Sequence, residues 1–370
     1  MSERLVYIAS NHKGDGLFKE LAKRFSDSRY HDAGYSSLPL ALHTLSQATR
    51  RLKNRPLLDR HLRKAIARRA WRWTEDLFRS IGREPLQIVC WQCLFPLTCQ
   101  WRQFGQLSVI SDVPMTEVYF RNFGITNRAA KVFRYRLRET TLENCDHFFT
   151  HSEWAADVNK KLHPLHAEKI SRIGWGSDMP VISREEAIQP RSRLQVLCVG
   201  NDYMRKGADL YDQVAERLKR RIPGLECLMV GTPGNGFPVT KLRHLTVLGR
   251  LPRQKLAELF KDASLFALFS RFEPAGHVTV EAMSSGVPVI CSNEGGIAEP
   301  VVNGKTGFVC DPFSADMAVD RACSILTQPA TLASFREQAY DHATSSWLWS
   351  HVADRIVCKL EGLRLSGSSH

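Results

Sequence analysis

The chain has 370 residues, of which 43% are hydrophobic, and a formal net charge of +13. This length exceeds what one hydrophobic core usually supports, so we expect two domains, and the composition excludes a disordered chain. No apolar run is long enough for a membrane-spanning helix, and the first one, residues 5–9, is too short for a signal peptide. We therefore expect a cytoplasmic protein.

The positive charge is concentrated in the first half of the chain. Residues 1–180 contain 29 Lys and Arg against 18 Asp and Glu, whereas residues 181–370 contain 22 against 20. Residues 50–83 alone contain twelve basic and three acidic residues, with apolar residues at helical spacing and two tryptophans, Trp71 and Trp73. Three interpretations remain open: a solvated outer helix, a helix on an anionic membrane surface, and a nucleic-acid-binding segment, which no motif supports.

The ten cysteines are scattered along the chain except for Cys90, Cys93 and the nearby Cys99. A structural zinc site needs a second pair at comparable spacing, and the sequence has none. We therefore expect reduced, mostly buried thiols and no metal, because cysteines in apolar runs pack as small hydrophobic residues. Cysteines of this kind are Cys198, Cys227 and Cys291.

The first half is predicted to alternate strands and helices, with strands at residues 5–9, 86–91, 107–110, 147–151 and 169–173. Gly14 and Gly16 follow the first strand, where glycine lets the backbone approach a ligand, although GxG alone is a weak dinucleotide signal. Asp112 follows the strand at 107–110, as a polar group at a strand's carboxyl end, and is a candidate catalytic residue that would contact the sugar or the acceptor. Ser152 with Glu153 is predicted to cap a helix, and residues 180–190 are predicted to be a linker.

The second half opens with a predicted strand at residues 194–200, which ends in Gly200. Arg205 and Lys206 then precede a predicted helix that begins at Ala208. Two cations beside a helix N-terminus favour a diphosphate site. The alternative is an exposed turn with two ordinary surface cations.

Residues 263–296 predict a strand, a loop, a helix at 277–285 and another strand at 287–291. Glu273 lies in the loop and Glu281 about one turn inside the helix. The N–H groups around Ala275, Gly276 and His277 suit a phosphate, and carboxylates suit vicinal hydroxyls. This pattern predicts a sugar-nucleotide site, and the alternative is a solvated helix with an ordinary N-terminal loop.

The run EPAGHVTVEAMSSGVPVI, followed by EGGIAEPVVNGKTGFV, resembles the Glu-x7-Glu signature of the retaining glycosyltransferases of family 4. The resemblance extends upstream through VLCVGNDYMRKG and HLTVLGRL, and it is faint in the first half. It implies the GT-B architecture, in which two Rossmann-like domains face each other. The implied division is an acceptor-binding domain at residues 1–180, a nucleotide-sugar-binding domain at 181–346, and a helix with a polar tail at 347–370 that returns to the first domain.

The resemblance also implies roles for individual residues. Glu273 would hold sugar hydroxyls, Glu281 the ribose diol, and Lys206 with Arg205 the diphosphate. The family commonly has an arginine after the strand's glycine, and here Asn201 stands there, so Arg205 would supply the charge. Further donor contacts are implied for the backbone from Ala275 through Gly276 and His277 to Val278, and for the turns at Gly200 and Leu251.

The implied partners are a UDP- or GDP-sugar and a saccharide or lipid-linked acceptor, with no cofactor or metal. The basic excess of the first half, without a membrane-spanning segment, suggests an acceptor at a membrane, such as a lipid-linked saccharide in bacterial envelope polysaccharide or lipopolysaccharide synthesis. A peripheral position at the inner face of the plasma membrane would suit the basic stretch at residues 50–83. Two alternatives remain: a nucleotide-sugar epimerase of the same fold, and a non-catalytic partner protein of GT-B type.

Overall fold

The computed structural model describes residues 4–9, 15–25, 27–32, 86–91, 105–180, 182–234, 237–311 and 313–362. Several sequence predictions lie outside these ranges: Gly14, the cysteines Cys93 and Cys99, the basic stretch 50–83 and the polar tail. The chain divides into two compact units, one formed by residues 1–174 with 353–370 and the other by residues 175–352. No helix in the described part of the chain has the length and apolarity that crossing a membrane requires.

The first unit contains a parallel six-stranded sheet in the order β2-β1-β3-β4-β5-β6. Its strands are β1 (Arg4–Ala9), β2 (Asp27–Asp32), β3 (Leu86–Trp91), β4 (Gly105–Ile110), β5 (His147–Thr150) and β6 (Ile170–Arg172). Its helices before β6 are α1 (Asp15–Ala22), α2 (Glu117–Asn122), α3 (Arg128–Asn144) and α4 (Glu153–Leu162). All five strands predicted in this half are confirmed, and Ser152 caps α4 by accepting a hydrogen bond from the N–H of Ala155 at 3.0 Å.

The second unit contains another parallel six-stranded sheet, in the order β12-β11-β10-β7-β8-β9. Its strands are β7 (Gln195–Val199), β8 (Glu226–Val230), β9 (Thr246–Gly249), β10 (Leu265–Leu268), β11 (Val289–Ser292) and β12 (Gly307–Cys310). Its helices are α5 (Arg184–Ile188), α6 (Ala208–Arg221), α7 (Arg253–Asp262), α8 (His277–Ser284), α9 (Ala315–Leu326) and α10 (Pro329–Ser346). A last helix, α11, spans Trp349–Leu360.

The central strands of this second sheet have continuous apolar sequences. Every residue of β7, β10 and β11 is buried, as parallel strands covered on both faces require. Three cysteines on these strands and on β8 are buried free thiols, namely Cys198 in β7, Cys227 in β8 and Cys291 in β11. Their burial confirms the predicted packing. Because these strands pair in parallel, the carboxyl ends of β7, β8, β10 and β11 share one edge of the sheet, from which the site loops extend.

Two predicted boundaries are wrong. Residues 180–190 were predicted to be a linker, but they contain helix α5. Ser183 caps this helix by accepting a hydrogen bond from the N–H of Glu186 at 3.1 Å. The last helix begins at Trp349 rather than at Trp347, because Trp347 ends α10 with φ −123° and ψ 42°.

The end of α11 packs within the first unit, where the terminal helix was expected. Arg24 forms an ion pair with Asp354 at 2.6 Å, and Nε of Arg355 donates to the carbonyl oxygen of Ile173 at 2.6 Å.

Candidate active site

The loop that contains Glu273 joins β10 to α8 and is fixed through its backbone. The N–H of Glu273 donates to the carbonyl oxygen of Glu294 at 3.2 Å, and its carbonyl oxygen accepts from the N–H of Gly296 at 2.8 Å. Gly295 faces this carbonyl with φ +90°, and a Cβ there would lie 2.3 Å from it. Only glycine fits, so the sequence EGG after β11 holds Glu273 in place.

The Glu273 carboxylate bonds to two cations from the loop after β7. Its Oε2 accepts from Nζ of Lys206 and, at 3.2 Å, from Nη1 of Arg205. The side chains of Glu273 and Lys206 are only 13% and 9% exposed. Because these side chains are largely buried, the attraction between the carboxylate and the two cations is stronger than it would be in bulk water. The three side chains form a charged cluster at the edge of the sheet.

The turn that carries the two cations depends on glycine at both ends. Gly207 has φ +69° and immediately precedes α6, and a Cβ there would lie 2.0 Å from the carbonyl oxygen of Phe269. Gly200 lies against the aliphatic part of Lys206, since a Cβ at Gly200 would lie 2.8–2.9 Å from Cγ, Cδ and Cε of that lysine. The absence of a side chain at Gly200 therefore leaves room for Lys206 to reach Glu273.

Asn201 occupies the position where the resembled family commonly has arginine, and its side chain is engaged elsewhere. Its Oδ1 accepts from the N–H of Thr232 at 3.0 Å and from Oγ1 of Thr232 at 2.9 Å, which ties the loop after β7 to the loop after β8. Nη2 of Arg205 donates to the carbonyl oxygen of Asn201 at 3.4 Å, and Nη1 donates to that of Phe272 at 3.0 Å. The guanidinium of Arg205 thus lies beside the backbone of Asn201, at the position where the resembled family commonly has arginine.

Helix α8 begins in the same region, and no side chain caps it. The carbonyl oxygen of Gly276 accepts from Nε1 of Trp175 at 3.2 Å, which fixes the start of the helix. A Cβ at Gly276 would meet the carbonyl oxygen of Ile297 at 2.9 Å. The N-terminus of a helix carries partial positive charge, so α8 and the two cations favour a bound anion.

Glu281 lies one turn inside α8, as predicted. Burial raises the pKa of its carboxyl to about 7, and the Asp178 carboxylate adds to the rise while Arg253 and Lys206 oppose it. Asp178 is itself held by Nε1 of Trp349, which donates to its Oδ1 at 2.7 Å. Near neutral pH Glu281 can therefore exist in either protonation state, unlike an ordinary surface glutamate.

Asp112 lies in the first unit at the carboxyl end of β4, and it is buried. Its Oδ1 accepts from the N–H of His151 at 3.1 Å and lies 3.6 Å from Nε2 of the same histidine. His151 contacts the carbonyl oxygen of Gly174 through Nδ1 at 2.7 Å. The sequence interpretation passed over His151, although its position at the end of β5, the strand beside β4, could have indicated it.

The other residues predicted to contact the donor lie in different elements of the two units. Gly16 lies within α1, and Leu251 lies between β9 and α7. Ala275 and Val278 lie on either side of the start of α8. In the second unit, the structure brings together the residues predicted for the diphosphate and the sugar, namely Lys206, Arg205 and Glu273.

Residues 182–342, which include these three side chains, match the family described as glycosyl transferases group 1. This part of the chain therefore resembles the glycosyl transferases of group 1. A related protein, the D-inositol 3-phosphate glycosyltransferase of Rhodococcus opacus (strain B4), is 30% identical over 236 residues, which are 60% of this chain and 52% of that protein. The chain therefore aligns with about half the length of that relative.

Solved structures resemble the whole chain in fold. Sucrose-phosphate synthase from Thermosynechococcus elongatus has a TM-score of 0.68 and 18% identity, with 97% of this chain and 98% of that chain covered. Anabaena HepE in complex with UDP-glucose has a TM-score of 0.64 and 15% identity, with 97% and 100% covered. The chain thus has an α/β fold of GT-B type, with one parallel sheet in each unit.

Proposed function

We propose that the protein is a retaining glycosyltransferase of family 4 that transfers a sugar from a nucleotide donor to a saccharide or lipid-linked saccharide. The observation that carries this proposal is the contact of Glu273 with Lys206 and Arg205 inside the segment that matches the glycosyl transferases group 1 family. Cations for a diphosphate and a carboxylate for sugar hydroxyls are the two chemistries that a sugar nucleotide requires.

In the proposed complex the donor diphosphate lies at the N-terminus of α8, beside Lys206 and Arg205. These groups stabilise the negative charge that develops on the leaving phosphate, so the reaction needs no metal. Glu273 accepts from hydroxyls of the sugar and Glu281 from the ribose diol. The polar backbone around residues 275–278 and the turn at Leu251 contribute the remaining donor contacts.

The proposed transfer occurs with same-face attack and retained configuration. The acceptor hydroxyl oxygen bonds to the anomeric carbon while the bond from that carbon to the leaving phosphate breaks, and the hydroxyl proton passes to a phosphate oxygen. Asp112, with His151 beside it, is the proposed contact for the acceptor or sugar in the first unit.

We place the acceptor at the inner face of the plasma membrane, in bacterial envelope polysaccharide or lipopolysaccharide synthesis. The support is the excess of basic residues in the first half, including residues 50–83, which suits an anionic surface. HepE, whose structure contains UDP-glucose, supports a UDP-sugar as the first donor to test, and a GDP-sugar is the second.

A thermal-shift screen across nucleotide sugars, followed by turnover assays, tests this function. A ligand at 100 times its dissociation constant stabilises the folded protein by about 2.7 kcal/mol, so a true donor is easily recognised. We expect stabilisation by one nucleotide sugar and turnover only with an acceptor.

The buried Asp112–His151 pair would also suit proton transfer in a nucleotide-sugar epimerase, and turnover of the donor alone would favour that alternative. Binding without turnover under any condition would favour a non-catalytic protein.

A further inference from the structure

Arg271 lies between strand β10 and Glu273, and it is bonded to the turn at residues 201–207 that carries Arg205 and Lys206, which we term the cation turn. Its backbone N–H donates to the carbonyl oxygen of Arg205 at 2.8 Å, and its Nη1 donates to the carbonyl oxygen of Met204 at 2.7 Å. Both bonds run from the loop after β10 to the turn after β7. Arg271, two positions before Glu273, therefore fixes the backbone that leads into Lys206.

The guanidinium of Arg271 also bonds to the first turn of helix α6 through Asp209. Its Nη1 and Nη2 donate to Oδ1 and Oδ2 of Asp209, each at 2.7 Å, which makes a bidentate pair. Both side chains are 36% exposed, so water reaches them only in part. A bidentate arginine–carboxylate pair is more directional than an ordinary surface ion pair, and lysine cannot reproduce it. Arg271 thus joins three segments: the loop of Glu273, the cation turn and α6.

The bonds of Arg271 become important when a donor binds. In the proposed complex Glu273 accepts from the sugar while the cations bind the diphosphate, so the pair between Glu273 and Lys206 is exchanged for contacts to the donor. The side chain of Arg271 bonds to neither Glu273 nor Lys206, so its own bonds can remain in that complex. A sugar nucleotide has a fixed length between diphosphate and sugar, so both ends are held at once only if the two loops keep their spacing.

We propose that Arg271 and Asp209 are positioning residues of the donor site, which keep the cation turn at the spacing from Glu273 that a sugar and its diphosphate span. They act through Lys206 and Glu273 and do not touch the donor. They can have this role only if the proposed function is correct, since a protein that binds no sugar nucleotide has no such spacing to keep. A nucleoside diphosphate without a sugar contacts the cation turn but not Glu273, so its affinity does not depend on the spacing.

Calorimetric titration of UDP and UDP-glucose tests this role, with GDP and GDP-mannose as the probes if GDP-sugars stabilise the protein. The Kd of the diphosphate divided by the Kd of the sugar nucleotide measures what the sugar adds to binding. Arg271→Lys and Asp209→Asn should each leave the Kd of the diphosphate unchanged, lower this ratio about tenfold and lower kcat by about 10- to 100-fold. The double variant should lose no more than either single one, because each change removes the same pair.

The matched control is Arg217→Lys/Asp316→Asn, which alters another arginine–aspartate pair made by α6. Arg217 is 40% exposed, much like Arg271, and the control should bind and turn over as wild type does. A wild-type ratio and kcat in Arg271→Lys and Asp209→Asn would overturn the positioning role while the proposed function stands. Equal losses of affinity for the diphosphate and the sugar nucleotide would also overturn it, because the pair would then serve only the fold of the turn. Wild type that binds no sugar nucleotide would overturn the proposed function and this role together.

Discussion

Glu273 and Lys206 lie on different loops, after β10 and after β7, and their side chains form an ion pair at the edge of the second sheet. Because Arg205 shares the same carboxylate oxygen, Glu273 holds the two cations side by side. A diphosphate can therefore replace one carboxylate as their partner, which frees Glu273 to accept from sugar hydroxyls. The proposed donor site depends on this exchange of partners.

Replacing Glu273 by Gln should abolish most of the turnover while the protein stays folded. An amide keeps the shape of the side chain but accepts more weakly from hydroxyls, and charge-assisted hydrogen bonds contribute about 1.5–3 kcal/mol each. We expect kcat/KM to fall roughly ten- to a hundredfold. Steady-state kinetics with the donor found in the screen measures this effect.

The control for this experiment is Glu258→Gln, which alters an exposed glutamate that pairs only with the surface residue Lys255 among its described neighbours. It should leave the rate unchanged. Full activity of Glu273→Gln alongside this control would remove Glu273 from the site.

Gly200→Ala should weaken donor binding by displacing Lys206. The new methyl group would lie 2.8–2.9 Å from three carbon atoms of that lysine, which is shorter than a van der Waals contact between carbon atoms. The lysine side chain is flexible and can move, so we expect a higher donor Kd with little change in Tm. Calorimetric titration and a thermal melt measure the two quantities. A large fall in Tm with unchanged donor affinity would show that Gly200 serves only the fold.

The sequence predicted much of this site because its signals are local. The buried apolar run of β10 and the sequence EPAG placed Glu273 at a strand end, and Arg205 with Lys206 followed the glycine that ends β7 in the same way. Continuous apolar strands also predict a parallel sheet without further information.

Contacts between distant segments could not be predicted in this way. Glu273 and Lys206 are 67 residues apart, so their pairing depends on which strands become neighbours. The proximity of His151 to Asp112 depends likewise on β5 lying beside β4. The influence of Asp178 on Glu281 arises from packing and leaves no sequence pattern.

The stability of the protein should depend on pH through Glu281. Its folded-state pKa of about 7 lies above the ordinary value of 4.5 for glutamate, because the buried site favours the protonated form. The stabilisation is therefore fully present below about pH 4.5 and is lost as the pH rises through 7. Glu281→Gln mimics the protonated form and should exceed wild type in unfolding free energy by about 1–3 kcal/mol at pH 8 but not at pH 4.5.

Denaturant unfolding at both pH values measures this difference. Glu258→Gln serves again as the control, since an exposed glutamate should give the same difference from wild type at each pH. An unfolding free energy for Glu281→Gln that tracks wild type across the range would mean that Glu281 ionises as an ordinary glutamate.

Calorimetric titration of nucleotide sugars into wild type, Lys206→Ala and Arg205→Ala tests the central claim most directly. Lys206 should matter more, because its ammonium bonds to Glu273 whereas Arg205 is also held by the carbonyl oxygens of Phe272 and Asn201. We predict that Lys206→Ala raises the donor Kd roughly 10- to 100-fold and Arg205→Ala by less, while the exposed-site control Lys241→Ala binds as wild type does. Donor binding of unchanged affinity in both Lys206→Ala and Arg205→Ala would contradict the assignment of this turn to the diphosphate.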